Sequence, residues 1–123
     1  MMIKKAKLIE AHSGGSDWLI ADIAKYMAEK KIRQIYIITD NIITGVVGMA
    51  DIVYKAVAKE KIDICAKDIM NFPVIIASGD LTPKDAYFLM VNNNIFSVPV
   101  TDNGKLIGEL SLSEAFELIQ KNE

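Results

Sequence analysis

The chain is written twice, and that repeat constrains the fold more than any single motif. Residues 32–54 and 95–117 carry the same order of residue classes at a constant offset of 63 positions, with no gap. Ile32 falls opposite Ile95, Gly45 opposite Gly108 and Asp51 opposite Glu114. Upstream at the same offset, Asp17 meets Asp80, Asp22 meets Asp85 and Met27 meets Met90. Few aligned residues are identical. What recurs is an order of elements: helix, apolar strand, turn, apolar strand, helix.

The second half gives the clearer local signals. Thr82-Pro83-Lys84-Asp85 opens a helix: Thr82 can cap, Pro83 suits the first helical position, and Asp85 suits the positive end of the helix dipole. Asn92-Asn93-Asn94 ends it, because Asn tolerates the left-handed conformation. Ser97 to Val100 and Lys105 to Leu110 read as strands around Asp102-Asn103-Gly104, a hairpin signal. Ser111-Leu112-Ser113-Glu114 has the spacing of a capping box before a last helix to Gln120. The first half repeats the pattern. Ser16 or Asp17 is expected to cap a helix from about Trp18 to Lys31. Strands are expected over Gln34–Thr39 and Ile43–Val47, and a helix from Asp51 to Ala58. Leu8–His12 and Val74–Ala77 read as an earlier strand in each half, and residues 59–63 as the linker. The domains are accordingly 1–60 and 61–123. A unit of roughly 60 residues buries only about 60% of its unfolded surface. Apolar strand faces such as Ile35, Ile37, Val98 and Val100 need a cover, and docking the halves through their sheets would supply it. The expected class is α/β (α+β), built from two pseudo-twofold β-α-β-β-α repeats. Met27, Met49, Met70 and Met90 read as core fillers.

Composition narrows the function. Apolar residues make up 51% and charged residues 24% of the 123, as in an ordinary globular chain. The net charge is −2 and Arg33 is the only arginine, so the basic stripe of a nucleic-acid binder is missing. One Cys and one His exclude an internal disulfide and a multi-cysteine metal site. With no nucleophile–base pairing in view, catalysis is not expected. Gly14-Gly15 is no phosphate loop, because no Lys-Ser/Thr follows. No apolar run approaches the ~18 residues that span a bilayer, and Met1–Lys7 lacks the apolar core of a signal peptide. The cytoplasm is the expected location.

Three segments carry a resemblance. Lys67-Asp68-Ile69-Met70, Val98-Pro99-Val100-Thr101-Asp102 and Gly108-Glu109-Leu110-Ser111 resemble the motifs of CBS (cystathionine-beta-synthase) domains, which occur in tandem as Bateman modules. Gly45-Val46-Val47-Gly48-Met49-Ala50-Asp51 is a looser match in the first half. The resemblance implies a ligand-sensing regulatory module that binds AMP, ADP, ATP or S-adenosylmethionine in an inter-domain cleft. It requires no cofactor and implies a homodimer formed through helices, acting on a target the sequence does not identify. The alternative is a ligand-free dimerisation or protein-interaction scaffold with decayed sites.

By the same resemblance, Asp51 matches the residue that holds the ribose hydroxyls. Its competing reading is an early-turn Asp favoured by the helix dipole. Gly48 stands at the family's Ser/Thr position and has lost the hydroxyl, though a helix start still offers amides to an anion. Ser111 keeps the hydroxyl, but the capping box with Glu114 competes for it. Glu114 replaces the ribose Asp and is one methylene longer. Arg33 occupies a position near phosphate, where a guanidinium suits bidentate contact. Its repeat partner is Phe96. His12 and Ser13 end the first strand beside Gly14-Gly15, where glycine permits close backbone approach. Tyr36 and Pro99 align where the family frames the base, and Gln34 and Ile76 complete the expected ligand-binding set. Exposed-loop and packing roles stand open beside these.

Overall fold

Two-residue turns set the hairpins. In a computed structural model describing residues 1–121, Asn103 and Gly104 have φ of 53° and 79°, and Asp40 and Asn41 have φ of 51° and 66°. Both central residues of a hairpin turn need positive φ, which Asn, Asp and Gly adopt cheaply. The turns join β2 (Gln34–Thr39) to β3 (Ile42–Gly48) and β5 (Ser97–Asp102) to β6 (Lys105–Ser111). Each hairpin is antiparallel, and each takes one short parallel strand on its first member: β1 (Ser13–Gly15) on β2, and β4 (Ala77–Ser78) on β5. The result is two three-stranded sheets.

The repeat is kept to the residue. β2 and β3 shifted by 63 give the bounds of β5 and β6. The register irregularity between Ile37 and Ile38 recurs between Val100 and Thr101. The helix α1 (Ile20–Lys30) maps onto α4 (Pro83–Asn92). After β3 comes α2 (Met49–Asp51), which runs on as a π-helical turn over Ile52–Ala56 and a 3-10 turn over Val57–Lys59. A short helix, α3 (Ala66–Ile69), follows, and α5 (Leu112–Lys121) closes the described chain.

The chain folds as two compact units: His12–Val74, and Met1–Ala11 with the chain from Ile75 onward. The expected halves 1–60 and 61–123 differ from these units by a reciprocal exchange. Residues 1–11 belong with the second repeat, and residues 61–74 with the first. The exchange obeys the repeat as well. Ile3 and Lys4 donate amides to Leu81 and Gly79, while Ala66 and Lys67 donate to Trp18 and Ser16, each 63 positions away from its counterpart. Lys4 pairs with Asp80 at 2.8 Å, and Lys67 with Asp17 at 3.0 Å. Hydrogen bonding to Asp80 and to Asp17 raises the pKa of each lysine.

Each unit has its own core. In 12–74, Ile20, Ile23 and Met27 of α1 pack with Ile35, Ile37 and Val47 of the sheet and with Ala66 and Ile69. In the other unit, Ile3 joins Ala86, Met90, Val98, Val100 and Leu110. Burying one such side chain is worth about 1.5–3 kcal/mol.

Several expectations need correction. Leu8–His12 is not a strand: Ile9 makes a single bridge to Glu109, and β1 starts at Ser13. The second early strand is Ala77–Ser78, not Val74–Ala77. Neither Ser16 nor Asp17 caps α1. The helix starts later, at Ile20, with Leu19 at the cap position and no side-chain bond. Asp17 is engaged by Lys67 instead. Met27 and Met90 are buried as expected, but Met49 is 55% exposed.

Candidate functional site

The first repeat gathers His12, Ser13, Arg33, Gln34, Tyr36, Gly48 and Asp51 around β1–β2–β3 and the helical start that follows. β-Pairing does most of this: Ser13 lies opposite Tyr36, and Gln34 opposite Gly48. The Tyr36 amide donates to the His12 carbonyl, and the Gln34 Nε2 donates to the Tyr36 hydroxyl at 3.1 Å. Tyr36 points away from its core neighbours Ile35 and Ile37 and is itself buried. Met49 donates its amide to the Arg33 carbonyl, which ties the strand start to the helix start.

Asp51 is the most heavily engaged of these residues. Its Oδ2 accepts the Gly48 amide at 2.8 Å and the Asn71 Nδ2 at 2.8 Å. Its Oδ1 meets the Lys55 Nζ at 3.2 Å. Lys55 also donates to the Ile69 carbonyl and to the Asn71 Oδ1. A carboxylate offers about four acceptor sites, so roughly one stays open. The Gly48 amide, expected to be available to an anion, is already taken by Asp51. Lys55 and Asn71 are neighbours of Asp51 that are absent from the expected set. Lys55 was findable, since it sits four residues after Asp51 on a helix, the spacing of an ion pair. Asn71 arrives through the Val46–Asn71 bridge, which no local pattern announces.

His12 is also engaged: its Nδ1 lies 2.8 Å from the Tyr26 hydroxyl. Trp18 stacks edge-on to Tyr26 with centroids 6.2 Å apart. A Cβ on Gly14 or Gly15 would lie 2.9 or 3.1 Å from the Trp18 ring. The close approach these glycines permit is therefore that of Trp18.

Ile76, Phe96, Pro99, Ser111 and Glu114 lie in the second repeat. Leu112 donates to the Phe96 carbonyl as Met49 does to Arg33. The capping box forms: Glu114 Oε1 accepts the Ser111 amide at 3.2 Å and its hydroxyl at 2.7 Å, and the Glu114 amide donates back to Ser111 Oγ at 3.1 Å. The Ser111 hydroxyl is thus held by Glu114 through Oε1 and through the Glu114 amide. The repeat counterparts of Lys55 and Asn71 are Leu118 and Leu8, so the polar triad around Asp51 belongs to the first repeat alone. Pro99 is buried, whereas Phe96 is 75% exposed.

No group of three or more His, Cys, Asp or Glu side chains among the described residues is placed to hold a metal. No helix among them is long and apolar enough to cross a membrane.

Comparison with known proteins agrees with the repeat. The CBS domain pattern matches residues 15–58 and 66–121. A protein of Methanopyrus kandleri is 33% identical over 101 residues, which cover 79% of this chain and 52% of that protein. The chain thus spans about half the length of that relative. Among solved structures, a CBS domain pair in complex with 5'-methylthioadenosine and S-adenosyl-L-methionine aligns over 100% of this chain and 98% of its own, with a TM-score of 0.76 and 23% identity. The cytosolic domain of the Mg2+ channel MgtE, in complex with ATP, aligns over 88% of this chain and 44% of its own, with a TM-score of 0.76 and 16% identity. At these identities the structures share the fold. With one match in each repeat, the chain belongs to the CBS domain family.

Proposed function

We propose that the chain is a non-catalytic, ligand-sensing module that takes an adenosyl ligand (AMP, ADP, ATP or S-adenosylmethionine) on its first repeat. One observation carries this reading. Asp51 presents a carboxylate at a strand-to-helix junction, held by a backbone amide, a lysine and an exchangeable neutral amide. Two vicinal ribose hydroxyls need two acceptor sites. One is open, and displacing the Asn71 amide from Oδ2 frees the second. The exchange swaps one hydrogen bond for another and leaves the Lys55 ion pair in place. Arg33 follows as the phosphate contact, Ser13 and the Gln34–Tyr36 pair as the base and ribose surround. Ile76, Phe96 and Pro99 stand in the second repeat at the positions of Ser13, Arg33 and Tyr36. Adenosyl ligands on two structural neighbours support the ligand class. The module works as a homodimer in the cytoplasm on a target protein, and the ligand shifts its conformations by its differential affinity for them.

A second reading is a ligand-free scaffold. The capping box that ties the Ser111 hydroxyl to Glu114 favours it for the second repeat. Thermal unfolding with AMP, ATP and S-adenosylmethionine separates the readings. A ligand at 100 times its dissociation constant adds about 2.7 kcal/mol of stability. An unchanged melting temperature with all three at millimolar concentration leaves the scaffold. Phosphate release from ATP is expected to stay at background.

A further inference from the structure

The two repeats differ along one seam. In the second, Tyr87 of α4 and Phe116 of α5 close it, with ring centroids 5.9 Å apart. The 63-residue offset puts Ala24 at the position of Tyr87, Ala28 at that of Val91 and Val53 at that of Phe116. The far wall of the seam differs as well. α5 is a regular α-helix, whereas its counterpart makes a π-helical turn over Ile52–Ala56, with the Val57 amide donating to the Ile52 carbonyl. Such turns are rare and recur at functional sites.

Small side chains and the wide turn leave a groove of about 400 Å3 between α1 and the run from Met49, wholly within residues 12–74. Its walls are apolar: Ala24, Met27, Ala28, Ile52 and Val53. That volume lies in the range of small-molecule sites, roughly 300–1,000 Å3. Met27 and the exposed Met49 are flexible thioethers that adapt to a guest. Two cations, Lys31 at the end of α1 and Arg33 just beyond it, also line the groove, and no acidic side chain does. Neither cationic side chain has an ion-pair or hydrogen-bond partner among the described residues.

We propose that this groove binds a free medium-chain fatty acid, with its alkyl chain between the helices and its carboxylate at Lys31 and Arg33. The charge pattern selects the class. A guanidinium pairs bidentately with a carboxylate, and the ammonium of Lys31 adds a second donor. A cationic amphiphile would meet two like charges. A nucleoside would press its polar edges against Ala, Met, Ile and Val without partners, which is costly. The length of the groove selects the chain. From Ala24 to Lys31 the helix rises about 10 Å, which an extended chain of about eight carbons spans. The inference does not rest on nucleotide binding. Arg33 also serves that reading, so the variants below leave it intact.

Isothermal titration of the full chain with octanoate, below the concentration at which it forms micelles, tests this. Saturable binding is expected. Hexanoate is expected to bind about fourfold more weakly, for two methylenes half-buried in an open groove. Octylammonium is expected to bind at least roughly tenfold more weakly than octanoate, and Lys31→Gln to weaken octanoate roughly tenfold, as loss of a charge-assisted hydrogen bond does. Ala24→Tyr restores the ring of the second repeat and is expected to abolish binding. Ala28→Trp blocks the groove from an exposed position, so it keeps the test open if Ala24→Tyr fails to fold by circular dichroism. No saturable binding of octanoate, as where another chain already fills the groove, overturns the proposal. So does equal affinity for octylammonium, or unchanged affinity in Lys31→Gln or in Ala28→Trp. Nucleotide is absent throughout, so a failure of adenosyl binding is seen separately.

Discussion

Asp51 does structural work whether or not a ligand binds. It caps the Gly48 amide and neutralises Lys55, with its side chain only 14% exposed. Asp51→Ala leaves that amide without its acceptor and Lys55 with only the Ile69 and Asn71 oxygens, so urea denaturation should show a loss of about 1–3 kcal/mol. Asp51→Asn keeps an acceptor for Gly48 and should lose less. Asn71→Ala removes the neutral donor to Asp51 and one acceptor of Lys55, and leaves the Lys55–Asp51 ion pair in place. If the ribose competes with that donor, Asn71→Ala should tighten adenosyl binding while Asp51→Asn weakens it. A uniform loss of affinity in both would contradict the displacement step. Gly108 makes a separate case. A Cβ there would lie 2.6 Å from the Leu8 Cβ and 3.0 Å from the Ile9 carbonyl. Gly108→Ala should therefore cost about 1–3 kcal/mol by overpacking, read from the unfolding midpoint.

Among the elements, the two repeat helices begin differently. Thr82 accepts the Asp85 amide at 3.1 Å, whereas Leu19 at the matching position of α1 caps nothing. Thr82→Ala should cost about 1 kcal/mol, and Leu19→Ser should recover part of that amount for α1. Equal and negligible shifts in both variants would mean that the caps do not limit these helices. The same contrast shows what the sequence made legible. Hairpins, Pro83, Thr82 and the Ser111–Glu114 box are local signals, and they fell where expected. The start of α1 was misplaced because Ser16 and Asp17 have capping chemistry but are drawn elsewhere: the Ser16 carbonyl accepts the Lys67 amide and the Asp17 carboxylate takes the Lys67 ammonium. That partner lies 50 residues away, beyond any local pattern. The same pairing raises the pKa of Lys67, and that of Lys4 is raised by Asp80. Stability from a raised lysine pKa is present below about 10.5 and is lost as pH rises through the folded-state value. Asp17→Asn should return the Lys67 titration toward its ordinary range, as followed by NMR.

For the whole molecule, the exchange of end segments decides what a fragment can do. A chain cut at the sequence midpoint separates Ala66 and Ile69 from the first repeat's core, and Ile3 from the second's. Residues 12–74 keep their core complete, so this fragment should unfold cooperatively where 1–60 does not. The site follows the same logic. Its carboxylate was visible in the sequence, because Asp51 stands at a motif position. Its occupancy was not, because Asn71 reaches Asp51 only after residues 61–74 fold back onto the first repeat. The central claim is that this carboxylate receives an adenosyl ligand. Isothermal titration of the full chain and of Asp51→Asn with S-adenosylmethionine, AMP and ATP tests it most directly. Saturable binding of at least one ligand, weakened tenfold or more by Asp51→Asn with the fold retained by circular dichroism, is the predicted result. Binding of equal strength in both proteins, or no heat from any of the three, would contradict it.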